Sequence, residues 1–462
     1  MPPRFDAVVV GAGLAGLRLS QRLASLGRKV AVVRPLEDGN RVRTGTFGQI
    51  HFERGAIGYG TGELHSMALV QELGLPTVSI SSRLTEGHFF LDGKLWPIPE
   101  ATNCSSLALD DADRDLGFFG LMKKYVGGAA QEHAIAVDSV LAGAPSDAAR
   151  ELDGISAEAF LQRAGAPAGL LRLLRAWLWY LLAGDPSDVS ALQAMVYSRC
   201  MQQGQPEGGP TDFRAVAQGN AALVAGLAEA ARAAGAEFID GPAESMDVSA
   251  DGVRVQASGA QIEADKVIIA TPLHSLPSVR PPLDLPVVRY IPVMRVYVFC
   301  SRRCWQPVSR LAVCIIQSPR AWIEDHSFFQ DGDEAALELH LAGPEAATFA
   351  ADFPTEEDRI AEARRRLTEV WPCLSEPGVV VSGDVTWWPQ AYSVYAPGEY
   401  LPLRGRLREP FHGGRLWLCG EHTADQVASM NGALQAADRL VNAVARAEGA
   451  DQAASEEVVI TS

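Results

Sequence analysis

The stretch FDAVVVGAGLAGLRLSQRLASLGRKVAVV, residues 5–33, decides the fold. Its apolar, β-branched run over Phe5–Val10 predicts a strand that is buried on both faces. Leu17–Leu26 carry apolar residues at helical spacing, and Lys29–Val33 form a second apolar run after a glycine. The order strand, helix, strand predicts a βαβ unit that opens an α/β fold.

Three glycines between the first strand and the helix form a GxGxxG pattern, which Leu14 and Ala15 complete. Gly11 permits a tight turn, Gly13 lets the backbone approach a pyrophosphate, and Gly16 lets the helix pack closely on the strand. The positive end of the helix dipole favours the negative charge of phosphates. In this position the pattern predicts a dinucleotide-binding turn.

Arg34 stands at the tip of the second strand, where such a fingerprint usually has an acid that accepts the ribose hydroxyls. Glu37 and Asp38, in the following loop, are alternative acids, and backbone groups are a further means of holding the ribose. An arginine at this tip is also compatible with a 2′-phosphate. We include Arg34 among the candidate cofactor-binding residues and leave its role open.

The composition is that of a globular protein with two or three domains. The chain has 462 residues, of which 47% are hydrophobic and 21% charged, and its formal net charge is −16. This acidity, without a Lys/Arg stripe, argues against nucleic acid as a partner. Since no apolar run reaches the roughly 18 residues of a membrane span and no signal peptide is recognised, we expect a cytoplasmic protein without an integral membrane segment.

The seven cysteines are spread through the chain without any CxxC pair. This spacing favours reduced, buried thiols over a disulfide framework or a zinc site. We therefore predict mostly reduced thiols, with no disulfide framework and no bound metal.

Motifs near both ends of the chain add to the opening pattern: Gly39-Asn40-Arg41, Glu53-Arg54-Gly55-Ala56, Gly420-Glu421-His422-Thr423 and Met430-Asn431-Gly432-Ala433. Together with the GxGxxG turn, they resemble the FAD-dependent amine oxidase superfamily. That superfamily includes monoamine, polyamine and L-amino acid oxidases and the related protoporphyrinogen oxidases and carotenoid desaturases. The resemblance extends over nearly the whole chain and implies FAD as the cofactor, bound non-covalently because no cysteine falls near the expected flavin region.

The resemblance and the order of segments predict the domain organisation. We expect an α/β protein, α+β overall, with a Rossmann-type FAD-binding domain into which a mixed-sheet substrate domain and a helical subdomain are inserted. The expected boundaries are 1–65, 206–275 and 396–449 for the FAD-binding domain, 66–150 and 276–395 for the substrate domain, 151–205 for the helical subdomain, and 450–462 for a flexible tail.

Several residues are implied to bind the cofactor by the resemblance. Arg41 corresponds to the arginine of the family's GGR motif and would face the FAD pyrophosphate, for which its fork of donors is suited. Glu421 corresponds to the late acid that meets the ribityl or pyrophosphate region, and Met430 opens a helix whose dipole points at the pyrimidine end of the flavin. The further residues implied are Gly55, Ala56, Gly420 and Ala243, the last through backbone contacts with the adenine.

Arg295 is the first candidate catalytic residue. Amine oxidases of the family commonly place a lysine, linked through water to flavin N5, ten residues before a tryptophan, and here Arg295 stands ten residues before Trp305. An arginine keeps its donors but cannot act as a base, because its pKa stays above ~12. Three roles are left open for this arginine: it holds the water, it binds an anionic substrate, or it pairs with an acid on an outward strand face.

Gly58 stands where relatives that oxidise amino acids place an arginine that binds the substrate carboxylate. An ordinary L-amino acid is therefore disfavoured unless Arg54 or Arg295 takes that role. A plain amine and a modified amino-acid derivative are equally open as substrates.

The aromatic segment Trp387–Gly398 corresponds to a family region near the flavin face. Paired rings there would lower the pKa of an amine by desolvation and hold its carbon against flavin N5. Because Ser429 stands where many amine oxidases have a tyrosine, we take Tyr395 and Trp388 as the candidate rings, with ordinary core packing as the alternative. His422 is open as a packed, flavin-edge or catalytic histidine.

The expected reaction is hydride removal from a carbon next to nitrogen in a small amine or amino-acid-like substrate, giving an imine, with O2 as the electron acceptor and H2O2 as product. Carbon–carbon desaturation, as in protoporphyrinogen oxidases, shares every FAD motif. A non-oxidative flavin mutase acting on a nucleotide sugar and a non-catalytic FAD-binding protein are further alternatives. A homodimer is left open as the assembly.

Overall fold

The structure, a computed structural model, describes residues 4–35, 40–82, 86–182, 184–203, 212–306 and 313–447. Its strands form two large sheets and two small ones, and helices cover the sheets. Within these ranges, no helix is both long and apolar enough to cross a membrane.

The first large sheet is built around the opening strand of the chain. Its members are β1 (Phe5–Val10), β2 (Val30–Arg34), β10 (Glu237–Asp240), β11 (Ala243–Ser249), β12 (Gly252–Ala257), β13 (Ala260–Ile269), β14 (Ser278–Arg280) and β20 (Leu416–Leu418). They follow the order β10-β2-β1-β13-β12-β11-β14, and β20 pairs with β13. Strand β1 lies between two parallel neighbours and is buried on both faces, which is why its residues are almost all apolar.

The second large sheet has seven strands. Its members are β7 (His88–Leu91), β8 (Lys94–Pro97), β15 (Arg289–Cys300), β16 (Cys314–Gln317), β17 (Arg320–Asp325), β18 (Ala335–Ala342) and β19 (Val380–Val394). Their order is β19-β15-β18-β17-β16-β7-β8. The long strand β15 pairs antiparallel with both β18 and β19, so side chains from three strands meet on one face.

Two small sheets complete the strands of the described residues. One is the hairpin of β3 (Thr44–Phe47) and β4 (Ile50–Glu53). The other has the order β5-β9-β6 and contains β5 (Tyr59–Gly60), β6 (Thr77–Ser79) and β9 (Phe213–Val216).

Fourteen α-helices occur in the described residues, several of them with sequence-encoded caps. Asp110, Ser146, Ser156, Ser190 and Thr355 each accept a backbone N–H at a helix start. The helices are α1 (Leu14–Ser25), α2 (Leu64–Glu72), α3 (Asp111–Leu121), α4 (Gly128–Glu132), α5 (Ala134–Leu141), α6 (Asp147–Asp153), α7 (Ala157–Arg163), α8 (Ala168–Leu181), α9 (Ala191–Gln202), α10 (Ala221–Ala233), α11 (Gly343–Asp352), α12 (Glu356–Val370), α13 (Tyr400–Arg408) and α14 (Met430–Ala447).

The helical segment between residues 155 and 200 packs on the second sheet rather than standing apart. The ring of Trp177 in α8 lies 5.7 Å from that of Trp322 in β17, and the indole N–H of Trp322 donates to the carbonyl of Ala176 at 2.9 Å. The apolar residues of α8 are therefore part of the core.

Two predicted boundaries shift in the structure. Helix α1 begins at Leu14 instead of Leu17, because Gly13 takes the N-cap position with extended backbone angles. Strand β14, at Ser278–Arg280, belongs to the first sheet although it lies just past the expected boundary at residue 275. The expected α/β fold class is confirmed.

The cysteines are mostly free and buried, as expected, with one exception. Cys304 and Cys373 form a disulfide, while the other five cysteines are free and buried. The two partners are 69 residues apart in sequence. The end of β15 and the end of α12 bring them together, so the pairing depends on tertiary structure and leaves no spacing signal.

Candidate active site

A cavity of about 450 Å³ opens between the two large sheets, within the range of small-molecule sites. Its lining comes from the turn after β1, the start of α14, and the inner faces of β15 and β19. Most of the predicted site residues lie on this one lining: Gly11, Gly13, Leu14, Ala15, Arg34, Arg41, Gly55, Ala56, Arg295, Trp388, Gly420, Glu421 and Met430.

Three glycines shape the turn after β1, part of which lines the cavity. Gly11 has φ +113°, and a Cβ there would lie 2.9 Å from the Thr271 side chain, so a larger residue is excluded. A Cβ on Gly13 would meet Asn40 at 3.9 Å and otherwise face open space. Gly16 lies behind the lining, where a Cβ would come within 2.0 Å of the Gly11 carbonyl oxygen.

The N-terminus of helix α1 lines the cavity, and its backbone N–H groups are not capped by a side chain. Its first turn contains no acid. Because the first N–H groups of a helix lack intrahelical partners and carry positive partial charge, this arrangement suits a phosphate.

Arg34, at the tip of β2, has an acidic partner on the neighbouring strand. Its Nε donates to Asp240 at 2.7 Å, in the parallel register of β2 and β10. Its guanidinium also lies 5.5 Å from the ring of Phe238, which lines the cavity. The acid missing from β2 is thus present one strand away, while Glu37 and Asp38 lie outside the described residues.

Arg41 and Glu421, which are 380 residues apart, meet in the wall of the cavity. Nη1 of Arg41 donates to Glu421 at 2.9 Å and also to the carbonyl of Ala391. Glu421 further accepts the Ser393 hydroxyl and the Ala428 N–H. Burial alone would raise the pKa of Glu421, but the charge of Arg41 and these hydrogen bonds lower it, so this acid stays ionised.

Glycines also shape the middle of the cavity. A Cβ on Gly55 would lie 1.9 Å from the Arg41 carbonyl oxygen, and that carbonyl accepts the Ala56 N–H at 3.0 Å. Ser429 precedes α14 and accepts the Gly432 N–H at 2.9 Å, as an N-cap does. Ala243 does not line the cavity; it begins β11 and pairs with Ala257 on the far part of the sheet.

Two polar side chains in the lining lack partners, and only His422 had been singled out from the sequence. Both ring nitrogens of His422, which is 1% exposed, have no hydrogen-bond partner among the described residues, and neither does the Thr271 hydroxyl. Burial lowers the pKa of His422 to about 4, so its ring is neutral. Buried polar atoms without partners at a cavity wall indicate a polar ligand.

Arg295 reaches the lining from β15 in the second large sheet and is 2% exposed. Its Nη1 donates to the Glu53 carbonyl at 3.1 Å, and its Nε lies 3.4 Å from the carboxylate of Glu338. His326 and His340 approach the same carboxylate at 2.6 and 2.9 Å. Of the roles left open, a place on an outward strand face is excluded: Arg295 is paired with an acid, but it is buried and lines the cavity.

One group near Arg295 has the composition of a metal site. Donor atoms of Glu324, His326 and Glu338 lie within 4.8 Å of one another. However, Nδ1 of His326 accepts the Glu53 N–H at 3.2 Å, and its Nε2 is the nitrogen that meets Glu338. Both imidazole nitrogens are engaged, and the guanidinium of Arg295 already balances Glu338, so the group forms a hydrogen-bonded ion network.

Trp388 and Tyr392, both on β19, supply aromatic rings to the cavity wall. The indole N–H of Trp388 donates to the Arg54 carbonyl at 3.2 Å. Tyr395 is fully buried instead, with its hydroxyl bonded to the His422 carbonyl. This corrects the choice of Tyr395: the second cavity ring is Tyr392, four residues after Trp388 on β19, whereas Tyr395 lies just past the end of that strand at Val394.

Neither Gly58 nor Arg54 reaches the cavity lining. A Cβ at Gly58 would lie 2.6 Å from the Arg214 carbonyl oxygen and 2.7 Å from Ile80, so no side chain fits there. The guanidinium of Arg54 is paired with Asp384.

The lining as a whole fits an extended dinucleotide with a flat ring system at one end. Free helix N–H groups, Arg34 and Arg41 match phosphates, the unpartnered His422 and Thr271 match a polar chain, and Trp388 with Tyr392 border the remaining space. FAD has these three parts in this order.

Comparisons with known proteins agree with this geometry. The profile of a family described as flavin containing amine oxidoreductase matches residues 14–445. The solved structure of cyclohexylamine oxidase from Brevibacterium oxydans IH-35A is similar, with TM-score 0.74 and 20% identity over 97% of this chain and 100% of that one. Wild-type putrescine oxidase bound to putrescine gives TM-score 0.75 and 22% identity over 96% and 99%. No curated protein sequence matches the chain significantly, and at these identities the structural likeness shows the fold alone.

Proposed function

Because the chain belongs to the flavin-containing amine oxidoreductase family, we propose that it oxidises a small amine or amino-acid derivative, using FAD and O2. The observation that carries this proposal is the single cavity that extends from the dinucleotide turn at Gly11 to the aromatic rings of Trp388 and Tyr392. A cofactor seated on the turn would place its ring system next to a substrate held by these rings.

The residues proposed to hold FAD divide by chemistry. The N-terminus of α1 and the guanidinium of Arg41 would bind the pyrophosphate. Asp240, beside Arg34, is placed to accept ribose hydroxyls in place of the usual acid on β2. The backbone around Glu421 and the start of α14 would meet the flavin end.

We propose that this cofactor is bound without a covalent bond to cysteine. The five free cysteines are buried, and none of them lines the cavity. Ala391, next to Tyr392, occupies the wall and offers no nucleophile. Denaturation should therefore release FAD into solution.

The chain's own residues prepare the amine. An alkylamine with a pKa near 10.4 is cationic at neutral pH, and a nitrogen that carries a proton has no lone pair to assist hydride loss. Aromatic walls at Trp388 and Tyr392 exclude water and favour the neutral amine. Neither Arg295, which stays protonated, nor any other side-chain base is required.

FAD, when bound, supplies the hydride acceptor for this reaction. The C–H bond next to nitrogen breaks with both electrons, the nitrogen loses a proton, and the imine is hydrolysed by water to a carbonyl compound and ammonia. Two electrons and two protons then pass to O2, which gives H2O2.

The test is anaerobic bleaching of the visible flavin band, followed by re-aeration with peroxide detection. The panel contains cyclohexylamine, putrescine, 2-phenylethylamine and N-methylated amino acids. We expect one amine class to bleach the band, with one H2O2 per flavin on re-aeration. A band that stays oxidised with every amine but bleaches with a porphyrinogen or polyene would refute amine oxidation in favour of desaturation.

A further inference from the structure

We propose that Glu338 is a specificity-determining residue: by balancing the charge of Arg295, it makes the cavity select amines that lack a carboxylate on the α-carbon. This inference deepens the proposed function and rests on it. The sequence left two substrate classes open, plain amines and amino-acid derivatives. The inference favours plain amines.

The guanidinium of Arg295 faces the cavity but is not presented as a free positive charge. Its Nε and Nη1 lie 3.4 and 3.5 Å from the two carboxylate oxygens of Glu338, and Nη1 also donates to the Glu53 carbonyl. Antiparallel pairing of β15 with β18 fixes this geometry, since Arg295 stands opposite His340, two residues from Glu338. Two rigid strands therefore hold the acid against the arginine.

Glu338 keeps its negative charge throughout. Burial alone would raise its pKa, but Arg295 and the hydrogen bonds from His326 and His340 hold the pKa far below its usual range. The side chain is fully buried, so solvent does not weaken its interaction with Arg295. The pair presents a local charge near zero to the cavity.

The other arginines of the described lining have their own acidic partners and lie away from Arg295. Arg34 is paired with Asp240 and Arg41 with Glu421, and both lie toward the proposed dinucleotide end. Arg54 is paired with Asp384 away from the cavity, and Gly58 has no space for a side chain. A substrate carboxylate near Arg295 would meet the charge of Glu338 and leave water without a new partner.

A neutral amine carries no such cost. Its nitrogen loses its proton on entering the aromatic slot, and its carbon skeleton is accepted by Trp388 and Tyr392. An uncompensated arginine, in contrast, would be expected in a site that binds the carboxylate of an amino acid. The Arg295–Glu338 pair thus discriminates between amines without a carboxylate and amino acids.

The first arm of the test uses the wild-type holoprotein and two matched substrate pairs. We would measure anaerobic flavin reduction by putrescine against L-ornithine, and by 2-phenylethylamine against L-phenylalanine. We expect each amine to be favoured in kcat/KM by at least about tenfold, a difference of about 1.4 kcal/mol. Equal or faster reduction by either amino acid would overturn the proposal.

The second arm measures binding without turnover, so that it remains informative if the proposed oxidation itself fails. Benzoate and its neutral counterpart benzamide are titrated against the oxidised holoprotein, and shifts of the flavin absorbance band give the Kd values. We expect benzoate to bind the wild type at least about tenfold more weakly than benzamide, and E338Q to remove or reverse this preference.

The variant R295M/E338Q provides the matched control, because it lacks both charges. It should lose the benzoate binding that E338Q gains. Flavin content and Tm establish that each variant is folded, and if E338Q does not fold, the wild-type Kd ratio decides. Benzoate binding to the wild type as tight as benzamide binding, or an unchanged preference in folded E338Q, would refute the role of Glu338.

Discussion

Replacement of Arg41 by methionine should weaken FAD binding. Arg41 faces the cavity with 27% of its side chain exposed and donates through Nη1 to Glu421 at 2.9 Å. Methionine keeps the aliphatic length but removes the charge and every donor. A hydrogen bond to a charged group contributes about 1.5–3 kcal/mol, so the Kd for FAD should rise by about tenfold to about 150-fold.

The matched control is Arg54→Met. Arg54 is similarly exposed, at 30%, and is also paired with an acid, Asp384, but it does not line the cavity. Titration of FAD into each apoprotein, followed by flavin fluorescence, gives the Kd values. We expect R54M to stay within about twofold of the wild type. An R41M Kd equal to that of the wild type, or an equal loss in R54M, would show that Arg41 does not contact the cofactor.

Three further predictions concern stability, each measured by urea denaturation of the apoprotein. Gly58→Ala should lower the free energy of unfolding by about 1–3 kcal/mol, because its Cβ would lie 2.6 Å from a backbone oxygen; an unchanged midpoint would contradict the close packing. Asp425→Asn should lower the free energy of unfolding by about 3–5 kcal/mol, because Arg404 and Arg408 both donate to this buried carboxylate. A loss below about 1 kcal/mol is typical of solvent-exposed ion pairs and would contradict the burial of this carboxylate. Burial raises the pKa of Glu53 from 4.5 to about 7, so the folded state holds a proton that the unfolded chain releases, and stability falls as pH rises through that interval. Glu53→Gln should gain up to about 3 kcal/mol relative to the wild type between pH 4 and pH 8, and a constant difference would show that Glu53 is ionised throughout.

The sequence predicts well those features that depend on neighbouring residues. The strand Phe5–Val10 has the predicted bounds, and the last helix begins at Met430 as expected. Periodicity and local turn chemistry determine these elements, and both can be read within a window of a few residues. The same holds for Gly11 and Gly13, whose positions relative to β1 and α1 follow from the pattern.

Features that depend on tertiary contacts were not predictable in this way. Arg295 is 43 residues from Glu338, and no sequence spacing links the two before β15 and β18 pair. The burial of Tyr395 is a tertiary contact of the same kind, because its hydroxyl donates to the carbonyl of His422, 27 residues away. The Thr271 hydroxyl lacks a hydrogen-bond partner among the described residues, and this depends on the folded surroundings of the side chain.

The central claim is that a C–H bond next to an amine nitrogen breaks during flavin reduction. It is tested most directly by anaerobic single turnover of the holoprotein with the fastest amine of the panel and with the same amine deuterated at the carbon next to nitrogen. We predict that the flavin band bleaches several-fold more slowly with the deuterated amine and that one carbonyl product forms per flavin. Bleaching at the same rate, with a carbon–carbon double bond in the product and the amine intact, would contradict the claim.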